Sequence, residues 1–111
     1  KYEDNYKDGK KDGKSTLYFE SGKIWSEKNY KDGKEDGKYT FYFESGQIKK
    51  KGNFKDGNLD GKCNWYYKNG QIEYEGNYKD DIPVGIHVSY FDSGQIKEKV
   101  NYDELDDDDE W

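Results

Sequence analysis

The chain has 111 residues, of which 30% are hydrophobic, 40% charged and 18% aromatic, and its formal charge is −6. So polar a composition excludes a large aliphatic core, and any order has to come from the aromatic side chains, 12 of them tyrosines. No stretch approaches the about 20 apolar residues of a membrane-spanning helix.

Charge is unevenly divided. Residues 103–111 hold seven acids and no base, which leaves 19 lysines against 18 acids in the rest. Every base is Lys, and without a positive excess or an Arg fork the chain is not expected to bind nucleic acid directly. Cys63 is the single cysteine, so an intrachain disulfide is excluded and no metal spacing exists.

In chain order, one pattern recurs every 24 residues. Asn-Tyr or Asn-Phe stands at 5, 29, 53, 77 and 101, and Gly-Lys-Ile or Gly-Gln-Ile at 22, 46, 70 and 94. A fixed period of this length means a repeat architecture. Residues 1–6 match Trp25 to Tyr30 at the same offset, so the chain is expected to open half-way through a repeat, with a first strand whose edge invites self-association.

Each repeat predicts two strands. Leu17-Tyr18-Phe19, Phe41-Tyr42-Phe43, Trp65-Tyr66-Tyr67 and Ser89-Tyr90-Phe91 centre the first strands, and Ser-Gly or Asn-Gly pairs follow them as two-residue turns. That turn at Ser21-Gly22 sets Phe19 opposite Ile24 and Tyr18 opposite Trp25. The same register gives Phe43–Ile48, Tyr67–Ile72 and Phe91–Ile96. Leu17, Phe19, Ile24 and Ser26 then share one face, and Thr16, Tyr18, Trp25 and Glu27 the other. Each second strand leaves through Lys-Asp-Gly-Lys-x-Asp-Gly-Lys, a longer connection whose two glycines need positive φ. The expectation is an all-β fold of nine strands, an elongated and twisted single antiparallel sheet of hairpins over residues 1–102, followed by an acidic tail at 103–111. The fourth repeat departs at Asp81-Ile82-Pro83-Val84, where its siblings carry glycine and lysine.

Nothing in the chain has catalytic spacing. Gly9 to Ser15 resembles a phosphate-binding loop but has three residues between its glycines instead of four, and it opens a strand rather than a helix. His87 is the only histidine and falls at the strand position of Ser15, Tyr39 and Cys63, which makes it a packing residue. The Asp-Gly turns lack the alternating acids and terminal Glu of a calcium loop. No cofactor is expected.

The aromatic rows hold the binding potential. Tyr18, Tyr42, Tyr66 and Tyr90 line one face with Trp25 beside them, and Leu17, Phe41, Trp65 and Ser89 line the other. A single-layer sheet leaves at least one such row open, and exposed aromatic surface marks partner sites. Ile82, Pro83 and the acids Asp106, Asp107, Asp108 and Asp109 complete the candidate contacts.

Residues 42–62, Tyr-Phe-Glu-Ser-Gly-Gln-Ile through Asn-Phe-Lys-Asp-Gly-Asn-Leu-Asp-Gly-Lys, resemble the MORN repeat variant of bacterial proteins. The resemblance implies a hairpin sheet without catalytic residues, a link to antitoxins of this repeat type, and elsewhere surface-associated or scaffold roles. Trp65 to Gly70 is also similar to choline- or glucan-binding repeats, though their period is nearer 20 and each carries a Trp. The expectation is thus a non-enzymatic protein-binding module, antitoxin- or immunity-like, with a surface adhesion or scaffold array and a choline or carbohydrate binder as alternatives. Its partner would be a basic toxin or an envelope or host protein, met in the cytoplasm in the first case and outside the cell in the second.

Overall fold

The computed structural model describes residues 2–105. They form a nearly all-β chain, 65% strand and 3% helix, laid out as an open antiparallel sheet with extents of 51 × 34 × 15 Å. The strands are β1 (Tyr2–Glu3), β2 (Tyr6–Lys7), β3 (Lys10–Lys11), β4 (Gly13–Tyr18), β5 (Ile24–Lys31), β6 (Lys34–Glu35) and β7 (Gly37–Tyr42). There follow β8 (Ile48–Lys55), β9 (Asn58–Leu59), β10 (Gly61–Tyr66), β11 (Ile72–Lys79), β12 (Ile82–Tyr90), β13 (Ile96–Asn101) and one helical turn, α1 (Tyr102–Leu105). Nine strands run neighbour to neighbour as β1-β4-β5-β7-β8-β10-β11-β12-β13, with β6 and β9 paired beside β5 and β8, and β2–β3 forming a separate ribbon.

The two kinds of turn exchange roles relative to the sequence reading. The two-residue turns are the Asp-Gly pairs: Asp32 (φ 52°) and Gly33 (φ 84°) are both left-handed, as at Asp8-Gly9 and Asp56-Gly57. A tight turn of this hand needs positive φ at both positions, which Asp tolerates and Ser does not. The Ser-Gly segments instead form three-residue connections. Gly22 N–H donates to Phe19 O at 2.9 Å, Phe19 N–H donates to Lys23 O at 2.8 Å, and of the pair Ser21-Gly22 only Gly22 has positive φ. Asn69-Gly70 follows the same form, with Asn69 outside the left-handed region.

This shifts the register near the turns. Tyr18 pairs with Ile24, not with Trp25, and Tyr42, Tyr66 and Tyr90 pair with Ile48, Ile72 and Ile96. A one-residue irregularity follows in each hairpin, after which Leu17 pairs with Ser26 and Phe41 with Lys50. The extra residues are Trp25, Lys49, Glu73 and Lys97, and a residue bulged out of the ladder leaves the alternation of faces. Trp25 accordingly sits against Phe19 and Phe41, at centroid distances of 6.2 and 6.5 Å, on the face opposite Tyr18.

Beyond the bulges a straight row crosses the whole sheet: Leu17, Ser26, Phe41, Lys50, Trp65, Tyr74, Ser89 and Glu98 are successive cross-strand partners. The next row on this face holds Ser15, Lys28, Tyr39, Gly52, Cys63, Gly76, His87 and Val100. Most of the fully buried side chains lie in these two rows, namely Ser15, Ser26, Tyr39, Cys63 and His87. The core is a line rather than a volume, and this side is termed the core face. Large rings alternate with glycines along it: a Cβ on Gly52 would stand 2.6 Å from Tyr39 Oη, and one on Gly76 would overlap the His87 ring. His87 is 2% exposed, its Nε2 donating to Asn77 O at 2.8 Å and its Nδ1 facing the Tyr74 hydroxyl. Tyr102, the fifth copy of the Asn-Tyr motif, packs on its ring edge-on at 4.7 Å.

The Asp-Gly turns stack along one margin. Gly33 N–H donates to Lys11 O, Gly57 N–H to Glu35 O and Asp81 N–H to Leu59 O, at 2.8–3.1 Å, so each turn hangs on the backbone of the repeat before it. The departure in the fourth repeat fits this ladder. Asp81 adopts φ 69° in the place of glycine, and its carboxylate accepts the Leu59 N–H at 2.7 Å, a bond glycine cannot make. Pro83 occupies the slot of Lys11, Glu35 and Leu59; it keeps the carbonyl that these residues give to the next turn and lacks only an N–H like the one Leu59 gives to the Asp81 carboxylate. Past β13 the chain leaves the sheet as α1, where Asn101 Oδ1 caps the Asp103 N–H and the Asp103 carboxylate accepts the Gly85 N–H, both at 3.0 Å. The first acid of the expected tail is therefore tied to β12.

Candidate functional site

The core face exposes a stripe of aromatic and lysine side chains. Lys50 Nζ lies 4.7 Å from the centroids of both Phe41 and Trp65, and Lys28 Nζ lies 5.4 Å from Phe41 while paired with Glu35 at 2.9 Å. Ammonium groups over ring faces hold such a row in place and cover part of each face. Trp25 remains 43% and Trp65 39% exposed. Along the margin of the three-residue turns three of the four bulged residues reach back to an aromatic six positions earlier. Trp25 meets Phe19, Lys49 Nζ is 6.0 Å from Phe43, and Lys97 Nζ is 5.9 Å from Phe91, itself 47% exposed. A shallow concavity of about 340 Å³ opens between Trp65, Tyr67, Tyr74 and Ser89.

Of the residues singled out from the sequence, the structure brings Trp25 and Trp65 to this one face. Tyr18, Tyr42, Tyr66 and Tyr90 lie on the opposite side, termed the tyrosine face, half-buried and already engaged. Tyr18 donates to Glu3 at 2.7 Å, Tyr42 to Glu27 at 3.0 Å and Tyr90 to Glu75 at 3.2 Å. Tyr66 breaks the series, because Lys51 stands where the others face Glu; it accepts from Asn64 Nδ2 at 3.3 Å and lies 5.9 Å from Lys51 Nζ. Ile82, 63% exposed, and Pro83 sit at the far margin beside the tip ladder, remote along β12 from Ser89. Asp106, Asp107, Asp108 and Asp109 lie outside the described residues. Sequence reasoning passed over Lys50, Tyr74 and the bulged Lys49, Glu73 and Lys97; the signal was available as one variable residue per period, directly after each Ile.

Burial raises the hydroxyl pKa of Tyr39, Tyr42, Tyr67, Tyr74 and Tyr90 above the ordinary value of 10, and the hydrogen bond to Glu3 does the same for Tyr18. A tyrosine whose folded value is raised contributes stability that is complete below pH 10 and lost as pH climbs toward the folded value. Glu27 is the opposite case: the hydrogen bond from Lys14 holds it below 4.5, so its contribution is present above that pH and fades as pH falls through the folded value. The melting temperature should therefore show a plateau at neutral pH, a shallow fall in acid and a steeper fall above pH 10. Absorbance at the phenolate band during thermal melts checks this. Tyrosines that ionise with their ordinary pKa while the fold stays intact would contradict it.

A comparison with protein families matches the chain to the MORN repeat variant over residues 11–32, 35–56, 59–80 and 83–104, most of its length. The chain belongs to the MORN repeat variant family. Each matched unit opens just past an Asp-Gly or Asp-Asp turn, and the first three close on the Asp of the next while the fourth ends in α1, so the family's unit is one hairpin of this sheet plus its margin. A comparison with curated proteins finds no match. MORN arrays are generally protein- or membrane-binding modules, and the repeat itself is non-catalytic. Among the described residues of this MORN array no helix is long and apolar enough to cross a membrane.

Proposed function

We propose that this MORN array binds a partner protein through its core face and masks it, in the manner of an antitoxin or immunity protein. The observation that carries the reading is the stripe around half-buried Phe41 and Lys50, where Trp25 and Trp65, with Phe91 at the margin, stay exposed on a sheet 15 Å thick with no second layer over them among the described residues. Aromatic anchors of this kind dominate binding energy in protein interfaces. A surface adhesion or scaffold array would use the same face and differs in its partner. The choline or carbohydrate reading is disfavoured by Lys50, whose ammonium already stands over the Trp65 and Phe41 rings that a quaternary ammonium would need.

The test places a photo-crosslinking phenylalanine at Trp65 and, separately, at Lys99, exposed on the tyrosine face. Position 65 should capture a discrete partner in the native host, and position 99 should not. With that partner purified, Trp65→Ala should weaken binding by about 2 kcal/mol or more. The partner's own activity should fall as the array is titrated in. Equal capture from positions 65 and 99 would refute the assignment of the face, and an undiminished partner activity would turn the reading from masking to scaffolding.

A further inference from the structure

On the tyrosine face, Lys38, Lys51 and Lys62 line one open concavity of about 550 Å³ together with Thr40, Asn53 and Asn64. The register makes this a cluster. Lys51 on β8 has Thr40 and Asn64 as direct partners, while Lys38 faces Asn53, two residues along the same strand. Lys38 and Lys62 flank β8 from β7 and β10, so their backbones stand about 10 Å apart, two strand spacings. The same diagonal in the first repeat is an ion pair, Lys14 Nζ with Glu27 at 2.8 Å. In the second repeat the Glu is replaced by Lys51, and two ammonium groups meet where repeat symmetry would place opposite charges. Like charges so placed oppose each other in an empty site.

Nothing among the described residues neutralises them. The ion pairs there are Lys11–Asp4, Lys14–Glu27 and Lys28–Glu35, and none includes these three lysines. The bracketing carboxylates are committed, Glu27 to Lys14 and Tyr42, Glu75 to Tyr90. An occupant thus has to bring negative charge to several lysines at once. The lysine spacing is wide for one small oxyanion, whereas an extended acidic peptide, rising about 3.4 Å per residue, spans it. We infer that the Lys38–Lys51–Lys62 concavity docks an acidic segment of a partner protein.

The probe is a hexaglutamate peptide, acetylated and amidated at its ends, titrated into the full chain and followed by amide chemical shifts. Shifts should centre on Lys38, Lys51 and Asn64, and affinity should fall as salt is raised. Lys51→Glu should lower affinity by at least about tenfold, a loss near 1.4 kcal/mol, without lowering the melting temperature. The carboxylate it introduces would stand to Lys38 and Tyr66 as Glu27 stands to Lys14 and Tyr42. Lys99→Glu, the same charge change on the same face, should alter affinity by less than about twofold. Shifts spread over other lysines, equal effects of the two substitutions, or inorganic phosphate binding as tightly as the peptide would each overturn the proposal.

Discussion

Gly76→Ala is expected to destabilise the sheet by about 3 kcal/mol, the upper range for forcing volume into a packed site. Gly76 has an ordinary φ, so the cost is not conformational; its Cβ would overlap the His87 ring. That ring has nowhere to go. Tyr74, Tyr78 and Tyr102 surround it at centroid distances of 5.5, 5.2 and 4.7 Å, and Nε2 is bonded to Asn77 O. Combining the change with His87→Ser, the residue that Ser15 supplies in the first repeat, should recover part of the loss. Two effects that share one steric overlap couple by about 1–3 kcal/mol in a double-mutant cycle. Denaturant unfolding of the four proteins measures this, and strictly additive effects would mean that ring and glycine do not constrain each other.

Tyr39→Ala should cost about 3–5 kcal/mol, the range for removing a large buried ring. Tyr39 is 5% exposed, packs on Phe54 at 4.9 Å and Phe41 at 6.0 Å, and its hydroxyl meets Cys63 Sγ at 3.3 Å. In a single sheet no facing layer can move in to fill the space over Gly52. Small domains have about 5–15 kcal/mol in total, so the variant should be marginal at room temperature. Tyr39→Phe keeps the ring and should lose only about 1 kcal/mol with the hydrogen bond. If the alanine variant lost less than about 1 kcal/mol, the row through Tyr39, Cys63 and His87 would not be the core.

The period of 24 made the architecture legible, since strand runs, turn glycines and the separation of the Leu17–Phe41–Trp65 row from the Tyr18–Tyr42–Tyr66 row all follow from it. The turns were less legible for a local reason. Ser-Gly, Asn-Gly and Asp-Gly all end in a left-handed glycine. Asp32 adopts φ 52°, whereas Ser21 and Asn69 stay outside the left-handed region in three-residue connections, and since Asn tolerates that region as Asp does, the dipeptide alone does not select the turn. The face of Trp25 was misjudged as a direct result, because the extra residue that re-aligns the strands is Trp25 itself. Gly52 and Gly76 carried a signal of another kind. They stand mid-strand, away from any turn, and only the rings of Tyr39 and His87 lying across them explain their smallness.

The ladder of turn tips gives the array a direction. Each new tip is held by the backbone of the hairpin already in place, Lys11 for Gly33, Glu35 for Gly57 and Leu59 for Asp81. A further 24-residue unit spliced into the middle would find such an anchor behind it and offer one ahead. A unit grafted behind the fourth hairpin would find the Pro83 carbonyl but no N–H like the one Leu59 gives to Asp81, and a chain already turned aside by the Asp103–Gly85 bond. Length in this array is thus set by a ladder that an inserted hairpin can join from both sides.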